Sequence, residues 1–152
     1  MTYCCGILVR EGLVMMADTR TNAGLDNIST FRKLHVFEEP GERVLMIATA
    51  GNLSVTQNVI SYVTAGLENP DTGERETLLS VQSMFEAAQL VGRAVRKVRE
   101  TLGSASDNVN YDVTLLLGGQ LRDRRMRLFM LYSAGNFIEA TEDTPYLQIG
   151  EH

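Results

Sequence analysis

Residues 2–20 read TYCCGILVREGLVMMADTR, and this stretch carries the most information about the fold. Two apolar, β-tolerant runs, 3–10 and 13–17, lie on either side of a Glu-Gly turn signal, which predicts an antiparallel hairpin. The second run returns alongside the first and brings Asp18 back toward Thr2. We therefore expect a carboxylate close to the N-terminus of the chain.

The rest of the first third also favours strands. Residues 18–30 are polar and predict a loop. Residues 34–37 and 44–50 predict a further strand pair, because Pro40-Gly41 stands between them at a hairpin position.

The middle of the chain changes to a helical period. Val59, Val63 and Leu67 recur every four residues, which predicts a helix from near Asn52 to just before Pro70. A longer apolar stripe follows and gives the strongest helical signal; its members are Val81, Met84, Phe85, Ala88, Val91, Val95, Val98 and Leu102. The basic residues around that stripe favour a solvated helix face over an anion or partner site; they are Arg93, Arg96, Lys97 and Arg99.

Strands return in the last third. Residues 113–117 and 128–132 predict two strands, joined by Gly118-Gly119 and a charged hairpin tip over 122–125. Short extended pieces follow, at 137–138 and 146–149. Because strands and helices are segregated along the chain, we predict an α+β fold of helices layered on largely antiparallel sheets.

The composition restricts the class of protein. Hydrophobic residues make up 44% of the 152 residues and charged residues 22%, which is typical of one globular domain. No apolar run reaches the roughly 18 residues that a membrane-spanning helix needs, and the start lacks the pattern of a secretory signal. We therefore predict a cytoplasmic protein that does not associate with membranes.

Charge and metal ligands exclude further classes. The net charge of −5 argues against a dedicated nucleic-acid binder. Cys4 and Cys5 are adjacent and point to opposite faces of a strand, so they are poorly placed to pair. His35 and His152 add too few ligands for a zinc site. We predict no metal and no cofactor.

Thr2 is the first candidate for chemistry. An initiator methionine is commonly removed before a small residue, and its loss would leave Thr2 as the N-terminus. Its hydroxyl would then be the nucleophile and its own α-amine the base, since such an amine titrates at about 7.7–8.0. Many chains begin Met-Thr, so this feature alone carries little weight.

Three further residues strengthen the hypothesis. Lys33 opens the strand after the polar loop, and an ammonium beside the attacking hydroxyl favours negative charge on it, with Asp18 holding the lysine charged. Ala50-Gly51 ends a strand where a helix begins, so a backbone N–H is free there to stabilise an oxyanion. Without further context, a structural ion pair is the simpler interpretation of Asp18 and Lys33, and a tight turn that of Gly51.

In this order, the residues resemble the proteasome β-subunit family of N-terminal-nucleophile hydrolases. The matching segments are Thr2, residues 12–20 followed by Ala23-Gly24, Arg32-Lys33-Leu34 and Ala50-Gly51. Within that family, the chain is similar to the bacterial ancestral β-subunit branch, Anbu; the segments concerned are Thr2-Tyr3-Cys4, 20–24, 28–33 and 134–138. The resemblance runs along nearly the whole chain.

The resemblance implies a catalytic role for four residues. Thr2 would be the nucleophile and Gly51 the backbone donor to the oxyanion. Lys33 would tune the nucleophile electrostatically, and Asp18 would pair with Lys33.

The resemblance also implies a substrate site, a fold and an assembly. Thr21 and Asn22 would lie beside an extended peptide or amide substrate, and Thr49 and Leu53 would help line the specificity pocket. The fold would be a four-layer αββα sandwich. Identical subunits would form rings or open helical arrays with the sites on the inner surface. The resemblance does not decide whether an ATPase is a partner.

Two departures from the family pattern keep the function open. Family members continue well past His152 and supply a supporting serine and aspartate, so we expect residues 1–152 to be one proteasome-like domain without its C-terminal portion. If Met1 stays attached, Thr2 lacks its base. We expect a threonine-type peptidase or amidohydrolase subunit if Met1 is removed and that portion is present. The alternative is a non-catalytic, self-assembling scaffold of the same fold.

Overall fold

The computed structural model describes residues 1–22, 28–103 and 109–151, which form twelve strands and two helices. The strands are β1 (Tyr3–Val9), β2 (Gly12–Ala17), β3 (Arg20–Asn22), β4 (Ile28–Thr30), β5 (Leu34–Glu39), β6 (Arg43–Gly51), β7 (Leu67–Glu68), β8 (Arg75–Glu76), β9 (Val113–Leu121), β10 (Arg127–Leu131), β11 (Phe137–Glu139) and β12 (Tyr146–Gly150). The helices are α1 (Leu53–Ala65) and α2 (Met84–Gly103). Ala23-Gly24 of the family motif and His152 lie outside the described residues.

Two antiparallel sheets stack face to face. The smaller has the order β12-β1-β2 and the larger the order β11-β10-β9-β6-β5. Helices α1 and α2 cover the outer side of the larger sheet through one hydrophobic cluster, and a second cluster fills the space between the sheets. This arrangement confirms the predicted α+β class, and it contains the first three layers of an αββα sandwich.

The central strand β9 shows why the layers stack in this order. Leu115, Leu116 and Leu117 are all fully buried, although successive side chains of a strand point to opposite faces. Leu115 and Leu117 belong to the cluster under the helices, and Leu116 belongs to the cluster between the sheets. A continuous apolar run is thus explained by a sheet that is covered on both sides.

The predicted first hairpin is confirmed. Strands β1 and β2 pair in a register from Cys4 opposite Ala17 to Val9 opposite Gly12. The N–H of Asp18 donates to the carbonyl of Tyr3 at 3.1 Å, so the hairpin ends with Asp18 beside the start of the chain.

The predicted end of the strand 113–117 at residue 117 is wrong, because β9 continues through Gly118 and Gly119 to Leu121. A Cβ on Gly118 would lie 2.7 Å from the sulfur of Met15 in the facing sheet, and one on Gly119 would overlap the carbonyl of Val44. The missing side chains allow neighbouring chain segments to approach closely. Glycine serves strand packing here and not a change of direction.

Three other elements differ from the predictions. Helix α1 ends at Ala65 because Gly66, with a φ of 111°, leaves the helical conformation, and the buried Leu67 begins β7. The predicted loop 18–30 contains the strands β3 and β4, which pair with each other. Helix α2 begins at Met84, after a turn that carries the buried Val81.

The prediction that the basic residues of α2 form a solvated helix face is wrong for two of them. Arg93 pairs with Glu76 at 2.7 Å, and these side chains are only 20% and 18% exposed. Arg99 donates to the carbonyl of Ser133 at 2.9 Å. Both arginines therefore attach the helix to neighbouring segments.

Neither described helix is long and apolar enough to span a membrane.

The packing between the sheets gives a first prediction. Leu128 is fully buried and packs against the backbone of Gly6, where a Cβ would lie 2.8 Å from its Cδ1. We expect Leu128→Ala to lower the free energy of unfolding by about 2–5 kcal/mol, because it leaves a cavity between the sheets. Urea denaturation would measure the loss.

Val14→Ala is the matched control for this prediction. Val14 belongs to β2 but is 50% exposed, so its truncation is expected to change the free energy of unfolding by less than about 1 kcal/mol. Equal losses for the two variants would contradict the packing described here.

Candidate active site

Three ends of strands bring Thr2, Asp18 and Lys33 into direct contact. Thr2 immediately precedes β1, Asp18 follows β2 and Lys33 precedes β5. The Lys33 ammonium lies 3.0 Å from the hydroxyl oxygen of Thr2 and 2.9 Å and 3.0 Å from the two carboxylate oxygens of Asp18. The structure thus joins three of the four residues to which the resemblance gave a catalytic role.

The Lys33 ammonium is buried and surrounded by acceptors. The side chain is 6% exposed, and besides Thr2 and Asp18 it donates to the carbonyl of Arg20. The carbonyl of Met1 lies 3.4 Å away. An ammonium has three hydrogens, so these partners occupy its whole donor capacity and compensate for its removal from water.

Asp18 is held as a carboxylate. Its own burial favours the protonated form, but hydrogen bonds from the backbone N–H of Tyr3, the Lys33 ammonium and the N–H of Arg20 outweigh that effect and lower the pKa of Asp18. The charged carboxylate pairs with the Lys33 ammonium and fixes its direction. Lys33 therefore presents a positive charge to the Thr2 hydroxyl.

The neighbouring cysteine is an unsuitable nucleophile. Burial and the charge of Asp18 raise the pKa of Cys4 to about 11, against an opposing effect of Lys33. Its thiol donates to the carbonyl of Thr49 across 3.7 Å. Cys4 is thus a neutral core residue, and Cys5 is buried as well.

The backbone around Gly51 leaves one N–H directed toward the site. On one side of β6, the N–H of Thr49 donates to the backbone carbonyl of Lys33 at 2.9 Å. On the opposite side, the N–H of Asn52, directly after β6, donates to the backbone carbonyl of Asp112 at 3.0 Å. Because successive N–H groups of a strand point to opposite sides, the Gly51 N–H points to the same side as that of Thr49, toward β5. The pairing of β6 with β5 extends only to Leu34, the first residue of β5, so no strand lies opposite Gly51 on this side. This amide lies beyond the paired part of the ladder and is available to an oxyanion.

The conformation of Gly51 requires a glycine. Its φ is 107°, and a Cβ at this position would overlap the carbonyl of Asp112. The next residue, Asn52, caps α1 by accepting a hydrogen bond from the N–H of Val55 at 3.1 Å. The strand therefore ends and the helix begins beside Thr2, as the sequence predicts.

An open cleft of about 440 Å³ lies in front of Thr2. The described residues on its walls include Thr2, Thr21, Gly51, Asn52, Asp112 and Glu151. The hydroxyl oxygen of Thr21 is buried there and has no hydrogen-bond partner among the described residues. The cleft thus brings together Thr2, the backbone of Gly51 and one polar group without a partner among the described residues.

The other predicted substrate residues have different positions. Thr49 is 5% exposed, and its hydroxyl lies 3.5 Å from the carbonyl of Lys33. Leu53 is the first residue of α1, and neither residue is on the cleft wall. Asn22 is in β3, and its side chain is outside the described part of the structure.

Sequence reasoning missed the C-terminal wall of the cleft. The N–H of Glu151 donates to the carbonyl of Thr2 at 2.8 Å, and Gly150, with a φ of 102°, allows this approach. Asp112 reaches the site because β9 pairs with β6. No local motif announces either residue, because only long-range strand pairing brings them to Thr2.

The chain has two stacked antiparallel sheets under a helical layer. Threonine, lysine and aspartate are in contact at the start of its first strand. Together these features define the class of proteasome-like β-subunits. Anbu (ancestral beta-subunit) from Yersinia bercovieri matches with a TM-score of 0.85 and 48% identity, over 98% of this chain and 60% of that chain. Anbu from Hyphomicrobium sp. strain MC1 matches with a TM-score of 0.83 and 45% identity, over 99% and 61%.

A structure described as the helical assembly of the Anbu complex from Pseudomonas aeruginosa matches with a TM-score of 0.86 and 41% identity, over 98% of this chain and 61% of that chain. No protein-family model and no curated protein matches. The chain belongs to the Anbu branch of the proteasome β-subunit family. It spans about 60% of the length of these relatives.

The contact between Asp18 and Lys33 gives a second prediction. The pKa of Asp18 is lower in the folded than in the unfolded chain, so its stabilisation is complete above about pH 4 and is lost as the pH falls through the folded value. We expect Asp18→Asn to lower the free energy of unfolding at neutral pH by about 1–3 kcal/mol. This loss is smaller than that for a fully buried ion pair, because the Asp18 side chain is 35% exposed to solvent.

Urea denaturation at neutral and at acidic pH would check this prediction. The difference between the wild type and Asp18→Asn should shrink as the wild-type carboxylate becomes protonated. Glu42→Gln is the control, because Glu42 pairs with Arg122 on the surface, where the side chains are 48% and 64% exposed. A loss for Asp18→Asn that is independent of pH would contradict the assigned role.

Proposed function

We propose that the chain acts as a threonine-type amide hydrolase subunit, in which Thr2 attacks the carbonyl of a peptide or related amide. One observation carries the proposal: the buried Lys33 ammonium lies 3.0 Å from the Thr2 hydroxyl oxygen and is itself held by Asp18. A subunit that only builds an assembly has no need of a buried cation beside this hydroxyl. The arrangement therefore favours chemistry over the scaffold alternative.

The reaction requires the removal of Met1. While Met1 is attached, the nitrogen of Thr2 is an amide and accepts no proton. Removal of Met1 leaves a free α-amine on Thr2, the residue that carries the hydroxyl. This amine titrates near neutrality, so a substantial fraction is uncharged and acts as the base.

The chemical steps follow from the positions of these groups. The Thr2 amine takes the hydroxyl proton as the oxygen bonds to the substrate carbonyl carbon, and the carbonyl oxygen becomes negative. The Gly51 N–H donates to that oxygen. The amine then gives the proton to the leaving nitrogen, the C–N bond breaks and an ester to Thr2 forms. Water activated by the same amine hydrolyses the ester and restores Thr2.

Lys33 acts on the nucleophile without joining the proton transfer. Its positive charge beside the hydroxyl favours the developing negative charge on the Thr2 oxygen. Asp18 compensates for that charge when the site is at rest and keeps the ammonium directed at Thr2. Lys33 is therefore a catalytic residue and Asp18 a positioning residue in this proposal.

The chain is also proposed to self-associate into a ring or an open helical array. The support is the relative from Pseudomonas aeruginosa, whose structure is described as a helical assembly. Native mass spectrometry of the chain should show species heavier than the monomer, and electron microscopy should show their form. A monomer at every concentration tested would contradict self-association and leave the chemistry of Thr2 unaffected.

Replacement of the nucleophile gives the main test of activity. We expect Thr2→Ala to lower the hydrolysis of small fluorogenic peptide amides by at least about 1,000-fold, because the attacking oxygen is absent. Thr2→Ser keeps a hydroxyl at this position and should retain measurable turnover. Intact mass should first confirm that Met1 has been removed from each protein.

Thr64→Ala is the matched control for Thr2→Ala. Thr64 is exposed on α1, and its hydroxyl donates only to the carbonyl of Ile60, so turnover should equal that of the wild type. Wild-type turnover by Thr2→Ala would exclude the proposed mechanism.

A further inference from the structure

A side chain fixes the start of β9 at a point where the neighbouring strand β10 has already ended. Strands β9 and β10 pair only as far as Leu115 opposite Leu131, after which the chain turns away over residues 132–136. The hydroxyl of Ser133, in this turn, accepts from the N–H of Val113 at 2.8 Å and donates to the carbonyl of the same residue at 2.9 Å. A hydroxyl has both capacities. One side chain thus takes the place of a paired strand at Val113.

Val113 is the residue directly opposite Gly51 in the pairing of β9 with β6. Because the next pair along is joined by the hydrogen bond from Asn52 to Asp112, the N–H and carbonyl groups of Gly51 and Val113 point away from each other. Those of Gly51 point toward β5, and those of Val113 toward Ser133. A Cβ on Gly51 would lie 2.9 Å from the Cα of Val113, so the two backbones are in contact. The position of Val113 therefore limits where the Gly51 amide can lie.

Helix α2 in turn holds the segment that carries Ser133. Arg99 donates to the carbonyl of Ser133 at 2.9 Å. A Cβ on Gly92 would lie 2.4 Å from the carbonyl oxygen of Gly135, so helix and turn touch through their backbones. The helix belongs to the hydrophobic cluster under the larger sheet. Ser133 therefore binds Val113 from a fixed support.

We propose that Ser133 is a positioning residue, which holds the Gly51 amide where it can donate to the oxyanion. Without the Ser133 hydroxyl, the N–H and carbonyl of Val113 lose their partner at a residue that is only 2% exposed, and the start of β9 loosens. Gly51 then loses the backbone against which it rests. The inference rests on the proposed function, because the oxyanion forms only in the reaction of Thr2.

Steady-state kinetics with a small fluorogenic peptide amide would compare the wild type with Ser133→Ala and Ser133→Thr, each with Met1 removed. We expect Ser133→Ala to lower kcat roughly 10- to 100-fold and to change KM by less than about twofold, because the oxyanion develops only after the substrate is bound. Ser133→Thr keeps the hydroxyl and should retain most of kcat. Wild-type kcat in Ser133→Ala, a change confined to KM, or equal losses in the two variants would overturn the inference.

Ser61→Ala is the matched control for the loss of a serine hydroxyl. Ser61 is exposed on α1, and its hydroxyl donates to the carbonyl of Gln57 in the same helix at 3.0 Å. Its kcat should equal that of the wild type. If Ser61→Ala is as slow as Ser133→Ala, the effect is not specific to the start of β9 and the inference fails.

Hydrogen exchange of backbone amides, followed by NMR without any substrate, separates this inference from the proposed function. The N–H of Asn52 reports on the joined ends of β6 and β9 and should exchange at least about tenfold faster in Ser133→Ala than in the wild type. The reference is the N–H of Arg122, which donates to the carbonyl of Glu42 at 2.7 Å beyond the opposite ends of the same two strands. Its exchange should not change.

The two measurements fail in different ways. If the wild type hydrolyses nothing but Asn52 exchanges faster in Ser133→Ala, the chemistry of Thr2 is refuted and the hold of Ser133 on the Gly51 backbone is supported. Unchanged exchange at Asn52, or an equal increase at Arg122, overturns the inference whatever the hydrolysis shows.

Discussion

The buried ammonium of Lys33 is the constraint on which the rest of the structure depends. A charge that is 6% exposed is tolerated only with close acceptors, and these come from Thr2, Asp18 and Arg20. Thr2 precedes β1, Asp18 follows β2 and Arg20 begins β3, so the open end of the first hairpin and the start of β5 must lie side by side. The register of β1 and β2 and the start of β5 thereby determine where the chain exposes its first hydroxyl.

Local features of the sequence predict the parts of the site that lie near strand ends. The pattern of residues 2–20 predicts the hairpin and the return of Asp18 to Thr2, and the strand-to-helix change predicts the place of Gly51. Asp112 and Glu151 are not predictable in this way. Both reach Thr2 only through strand pairing between distant parts of the chain, and no spacing along the sequence records that pairing.

Two of the errors of the sequence-based predictions have a common physical origin in glycine. The sequence predicts that Gly118-Gly119 belongs to the connection between two strands, but the pair lies within β9, where neighbouring segments approach too closely for side chains. Gly66 ends α1 early, although the apolar period continues to Leu67. A glycine marks either a change of direction or a close contact, and only tertiary packing decides between the two.

The overlap that forbids a side chain at Gly51 has a mechanical consequence. The carbonyl of Asp112 lies against Gly51 and accepts from the N–H of Asn52, so a direct backbone contact joins the end of β6 to the start of β9. A shift of β9 relative to β6 would displace the Gly51 amide and Asp112 together. Under the proposed function, substitutions in the core beneath this contact would therefore alter turnover although they touch no residue of the cleft, because they move the donor to the oxyanion.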